Sequence, residues 1–134
     1  MTTIESKKVI VPANRTDVHQ FLSQTDNLVH LLPKDKISDW KSDGKVCSFK
    51  IQGAYTIGLE HISSDQPDRV VYKSTAGSPF PFTLTAHLEE SGDQTNVWQL
   101  CDAELNPFLV MIVKDPLRNL FDYMAERLTK QFEA

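Results

Sequence analysis

A β-rich start gives way to helical spacing, then to strict alternation, then to helical spacing again. Ile4 to Val11 ends in Val9-Ile10-Val11 and is stopped by Pro12, which predicts a first strand. Asn14 can cap a short helix that carries Val18, Phe21 and Leu22 on one face. Thr25-Asp26 can cap a second, with Leu28, Val29, Leu31 and Leu32, and Pro33 ends it. From Ile37 the period becomes two. Ile37 to Lys41 and Lys45 to Gln52 flank Ser42-Asp43-Gly44, a hairpin turn. Ala54 to Ser63, Arg69 to Ala76, Phe82 to Glu89 and Asn96 to Leu105 read as four more strands, separated by Ser64 to Asp68, Gly77 to Pro81 and Glu90 to Thr95. Asn106-Pro107 then opens a helix that runs to Ala134, with Leu117, Leu120, Phe121, Met124 and Leu128 along one stripe. Asp115-Pro116 predicts a kink or a restart within it. Arg118 with Asp122 and Glu126 with Lys130 are spaced for ion pairs on its wet face.

The order is strand, two short helices, six strands, long helix. Short turns between the strands favour an antiparallel meander. One amphipathic helix beside one sheet must cover its apolar stripe. A sheet curved around that helix makes a container.

Composition narrows the class. The 134 residues fit one domain, 1–134, with a single core. A net charge of -4 and an isolated Lys7-Lys8 pair argue against nucleic acid, which needs clustered cations. The longest apolar run, Phe108 to Val113, falls far short of the ~20 residues that span a bilayer. The N-terminal residues MTTIESKK hold no signal-peptide core. Cys47 and Cys101 lie far apart and outside metal-like spacing, so a cytoplasmic protein with reduced thiols is the expectation.

Five stretches carry a family resemblance: Asn27 to Pro33 (NLVHLLP), Tyr55 to Glu60 (YTIGLE), Arg69 to Ser74 (RVVYKS), Pro79 to Leu84 (PFPFTL) and Asp102 to Pro107 (DAELNP). With the element order, they make the chain similar to small bacterial members of the START-like, Bet v 1-like superfamily, which includes the polyketide cyclases (SRPBCC). The resemblance implies an α+β helix-grip fold. In that fold a curved seven-stranded antiparallel sheet wraps a long C-terminal helix, and two short helices follow the first strand. It also implies a cavity for a small hydrophobic or amphipathic ligand, lipid, quinone or polyketide-like. Some members are cyclases or hydrolases, so a reaction in the same cavity stays open, as does an interaction protein whose cavity is filled by side chains. No cofactor is implied, and the chain is expected as a monomer or homodimer.

The inward phases name the cavity candidates. They are Trp40; Phe49 and Ile51; Tyr55, Ile57, Leu59 and His61; Tyr72; Phe82 and Leu84; Gln99 and Cys101; and Leu117, Phe121 and Met124 from the helix. Phe80 and Phe108, each beside proline, and Met111 are expected at its mouth. The apolar run from Phe108 to Val113 is either core, a lid, a dimer patch or an edge for transient membrane contact. No P-loop, dinucleotide fingerprint, His-Glu-x-x-His helix or Gly-x-Ser-x-Gly elbow is present. The four histidines, His19, His30, His61 and His87, have no ligand spacing, so no metal is expected. Among titratable groups only His61 and Tyr55 share the inward phase in a way that could serve catalysis. For His61 a partly exposed strand end is the alternative.

Overall fold

The alternating segments pair into one antiparallel sheet. The computed structural model describes residues 2–51, 55–62 and 66–133. Its strands are β1 (Thr2–Glu5), β2 (Val9–Val11), β3 (Ile37–Ser42), β4 (Val46–Ile51), β5 (Thr56–Ile62), β6 (Arg69–Ser74), β7 (Phe82–Ser91) and β8 (Gln94–Ala103). Between β2 and β3 stand α1 (Arg15–Leu22) and a 3-10 helix (Thr25–Leu31), and α2 (Pro107–Gln131) closes the chain. The sheet runs β1-β8-β7-β6-β5-β4-β3, with β2 also paired to β8. This is the α+β helix-grip arrangement. The expected strand ends at Gln52, Ala54 and Ser63, and part of the turn at 64–68, lie outside the described residues.

Local chemistry fixes the joints. Asn14 Oδ1 accepts the Asp17 N–H at 2.8 Å and starts α1. In the β3–β4 turn Gly44 takes φ +95°, while Asp43 Oδ1 accepts the N–H groups of Lys45 and Val46 at 2.9 and 2.8 Å. Those bonds hold the Asp43 carboxyl below its ordinary pKa. The β7–β8 hairpin is in register from Phe82↔Ala103 to Ser91↔Gln94. On β8 the buried positions are Thr95, Val97, Gln99, Cys101 and Ala103, which makes this phase the inner face.

Three expectations change. The first strand is two: Ile4 pairs with Cys101 and Val9 with Val97, and the chain leaves the ladder between them. Ser6 causes the break to be satisfied. Its N–H donates to the Gln99 carbonyl at 2.9 Å, and its Oγ accepts the Gln99 N–H at 2.8 Å. The second short helix forms as expected, with 3-10 geometry. The long helix runs unbroken through Pro116 and ends at Gln131; Pro116 is exposed there, so the carbonyl its ring leaves without a donor can meet water. Finally, the expected ion pairs on α2 are replaced. Asp122 accepts the Lys7 backbone N–H at 2.7 Å and Glu126 pairs with the Lys7 ammonium, while Arg118 lies 3.9 Å from Asp115. The acids of α2 thus hold the β1–β2 break.

The helix is capped by Asn106, whose Oδ1 accepts the Leu109 N–H at 2.8 Å. It buries Val113, Leu117, Phe121, Met124, Ala125 and Leu128 and packs on β1, β2, β8 and the 3-10 helix. It makes no comparable backbone approach to β3 or β4 among the described residues. That unclosed side is where the candidate site opens.

Candidate ligand site

Between sheet and helix lies a small apolar void. The Phe49↔Ile57 pair with Leu59, and the Leu84↔Cys101 pair with Phe82, form its floor. Leu117, Leu120, Phe121 and Met124 of α2 form its roof, and Phe80 from the loop before β7 closes one side. Its free volume is about 20 Å³, room for roughly one water. With no polar side chain around it, such a water would have no partner, and the void is expected to stay dry.

A larger groove of about 500 Å³ lies outside it, at the β3–β4 edge of the sheet. Ile37 and Ile51, which face each other across the two strands, form one wall with Pro33, Asp35 and Lys36. Pro116, Asn119, Leu120 and Tyr123 of α2 form the other. Leu120 borders both spaces. This partly buried side chain is common to the polar-rimmed groove and the apolar void.

The sequence candidates divide by position. Phe49, Ile57, Leu59, Phe82, Leu84, Cys101, Leu117, Phe121 and Met124 border the void, and so does Phe80, placed at the mouth by the sequence but buried here. Ile51 borders the groove. Trp40 borders neither; it stacks on Phe49 with ring centres 6.3 Å apart. Tyr55 packs edge-on against Phe80 at 6.3 Å. Burial first, and Cys101 second, push its hydroxyl pKa up, so it stays a neutral phenol. Phe108 and Met111 also border neither space. They are 70% and 85% exposed and, with Ile112, make an apolar ridge on the first turns of α2.

Three polar candidates are explained by their partners or the lack of one. Tyr72 donates its buried hydroxyl to the Leu22 carbonyl at the end of α1, which ties that helix to the sheet. His61 lies opposite Tyr72 in the β5–β6 ladder, rings edge-on at 6.0 Å. Burial, then His19 and Lys45, hold its pKa below the ordinary value. Gln99 is 3% exposed and its Oε1 has no hydrogen-bond partner.

The thiols are inert. Burial pushes Cys47 up to about 12, with Asp26 adding to it, and pushes Cys101 up to about 12, with Asp102 adding to it. Both are protonated at neutral pH and poor nucleophiles. Among the described residues no group of His, Cys, Asp and Glu could hold a metal ion, and no helix is long and apolar enough to cross a membrane.

The sequence pattern missed the groove. Leu120 was legible as part of the helix stripe, but Asp35, Lys36, Asn119 and Tyr123 carry no motif. Only the packing of the segment after the 3-10 helix against α2 brings them together.

No protein-family model matches the chain, and no curated protein matches it in sequence. Solved structures do match. A START superfamily protein from Mycobacterium smegmatis superposes with a TM-score of 0.74 at 12% identity, over 97% of this chain and 96% of its own. Norcoclaurine synthase from Thalictrum flavum, solved with dopamine and hydroxybenzaldehyde, gives 0.71 at 19% identity, over 97% and 85%. This chain has the START-like, Bet v 1-like fold. The protein XoxI from Bacillus cereus shares that fold with a TM-score of 0.75 at 15% identity, over 98% and 96%. At these identities the likeness is one of fold, and the START-like frame accounts for the helix lying over the concave sheet face.

Proposed function

We propose that this protein binds a small apolar or amphipathic molecule between its sheet and α2, admitted through the groove at Leu120. The shared wall carries this proposal. A groove of about 500 Å³ and an apolar void share Leu120 in their walls, and a rotation of that side chain is the motion by which this reading connects them. The joined space has apolar walls and a rim with Asp35, Lys36, Asn119 and Tyr123. That division suits a lipid, quinone or polyketide-like molecule with a polar end left at the rim. Norcoclaurine synthase, of the same fold, has been solved with two small aromatic molecules.

A cyclase- or hydrolase-type reaction in this space has less support. His61 packs on Tyr72 rather than on the void, and the thiols are protonated. Tyr55 remains as a hydroxyl that could orient a ligand. A second proposal rests on the volume of about 20 Å³: the interior is filled by side chains, and the chain acts through its surface.

Native mass spectrometry, followed by organic extraction, separates the two. A stoichiometric apolar adduct supports ligand binding. Titration with N-phenyl-1-naphthylamine gives the second readout. Phe121→Trp or Met124→Trp should fill the void and abolish dye binding while circular dichroism stays native. Unchanged dye affinity in folded variants, or an apo protein that binds no dye, would count for the filled interior.

A further inference from the structure

Among the described residues the buried side-chain atom without a hydrogen-bond partner is Gln99 Oε1. Gln99 stands on the inner phase of β8, 3% exposed. A buried polar atom left without a hydrogen bond keeps its full desolvation cost, and such atoms are rare in folded proteins. The backbone around it is fixed. Ser6, in the break between β1 and β2, bonds both the N–H and the carbonyl of Gln99. Across the ladder its neighbour is Ala86, small enough to leave the amide room.

Position gives the orphan acceptor a use. On the same face of β8 the next inward residue is Cys101, which with its partner Leu84 floors the void. In the strand order β8 lies at the far side of the sheet from β3, where the groove opens. Gln99 does not itself border the void; it stands one inward position along β8 from Cys101, which does. A molecule that entered from the groove and widened the void at Cys101 would bring its leading end to the Gln99 amide.

We propose that Gln99 determines specificity in this site, accepting a hydrogen bond from a hydroxyl or N–H at the leading end of the ligand. The inference rests on the ligand-binding proposal above and adds to it the chemistry of the ligand: a donor at one end, an apolar middle, and a second end at the rim of Asp35, Lys36, Asn119 and Tyr123. A plain hydrocarbon chain would leave Oε1 unpaired and would bind less tightly.

Three probes of one shape test it by calorimetry: naphthalene, 2-methoxynaphthalene, which only accepts, and 2-naphthol, which donates. The wild-type protein should prefer 2-naphthol to the other two by roughly tenfold or more, the range of a hydrogen bond to an otherwise unpaired group. In Gln99→Met, which keeps the shape and deletes the acceptor, that ratio should fall to about one. The variant should also melt at a higher temperature than wild type, because an unpaired polar atom has been removed. Equal binding of the three probes by wild type would overturn the role of Gln99 and leave ligand binding standing. So would a ratio that Gln99→Met does not change, or a preference for 2-methoxynaphthalene, which would mean that the amide presents its N–H groups. A lower melting temperature in Gln99→Met would assign the acceptor a partner within the protein or its bound water, and would likewise overturn it. Failure of all three probes to bind would overturn both proposals.

Discussion

Replacing Leu120 with alanine tests whether this residue is a partition or part of a sealed core. The change removes three carbons, each worth about 0.8 kcal/mol when fully buried. Leu120 is only partly buried and faces an open groove on one side. Water can occupy the groove side, so little new empty cavity forms. The expected loss is therefore about 1.5–2 kcal/mol, below the roughly 2.7–5 kcal/mol of enclosed leucines. Unfolding entropy of about 2.1 cal/mol/K per residue gives ~0.28 kcal/mol/K for 134 residues. The melting temperature should fall by about 5–7 °C. At the same time, affinity for N-phenyl-1-naphthylamine should rise about fivefold, since the dye no longer displaces the side chain; that factor corresponds to about 1 kcal/mol. Differential scanning calorimetry and dye titration read the two effects. A loss above ~3 kcal/mol with unchanged dye affinity would mean that Leu120 is ordinary core and that the groove leads nowhere.

Tyr72→Phe should cost about 1–2 kcal/mol, or roughly 4–7 °C in melting temperature, because the Leu22 carbonyl loses its donor in a buried place; no change would deny that this bond anchors α1. Gly58→Ala should destabilise by about 1–3 kcal/mol, since the new Cβ would lie 1.9 Å from Thr75 Oγ1, and a melting curve equal to wild type would refute that close approach. Burial holds His61 below 6.5, its ordinary value, so the unfolded chain takes up that proton first. Its contribution to stability is complete above pH ~6.5 and is lost as the pH falls from there toward the folded value. Burial, with Arg69 second, lowers His87 in the same direction. His61→Gln should therefore lessen, without abolishing, the drop in melting temperature between pH 7.5 and 5.5; an identical drop would place His61 in an ordinary aqueous setting.

Much of the architecture was legible because alternation and helical spacing report burial directly. Phe82, Leu84, Ala86 and Leu88 alternate with polar residues, and all four are buried on β7. Asn106-Pro107 marks the start of α2, where the cap forms. Where local chemistry competes with the ladder, the pattern misled. Ser6 and Lys7 sit inside a β-rich run, yet Ser6, still in the register of β1, answers the Gln99 N–H with its side-chain Oγ, and Lys7 turns to the acids of α2, after which the ladder resumes one residue shifted. Likewise Asp122 and Glu126 read as partners for cations on their own helix, because sequence spacing cannot reveal a lysine 115 and 119 positions away.

The sequence by itself determined which faces are apolar, hence one sheet with one long helix over it, because each apolar stripe must be covered. Only the tertiary structure decided how much space the covering leaves. Free volume is a small difference between the volumes of many packed side chains and the separation of sheet and helix, and no local pattern encodes that difference. The void of about 20 Å³, the groove beside it, the leucine common to their walls and the unpaired Oε1 of Gln99 all arise at that level.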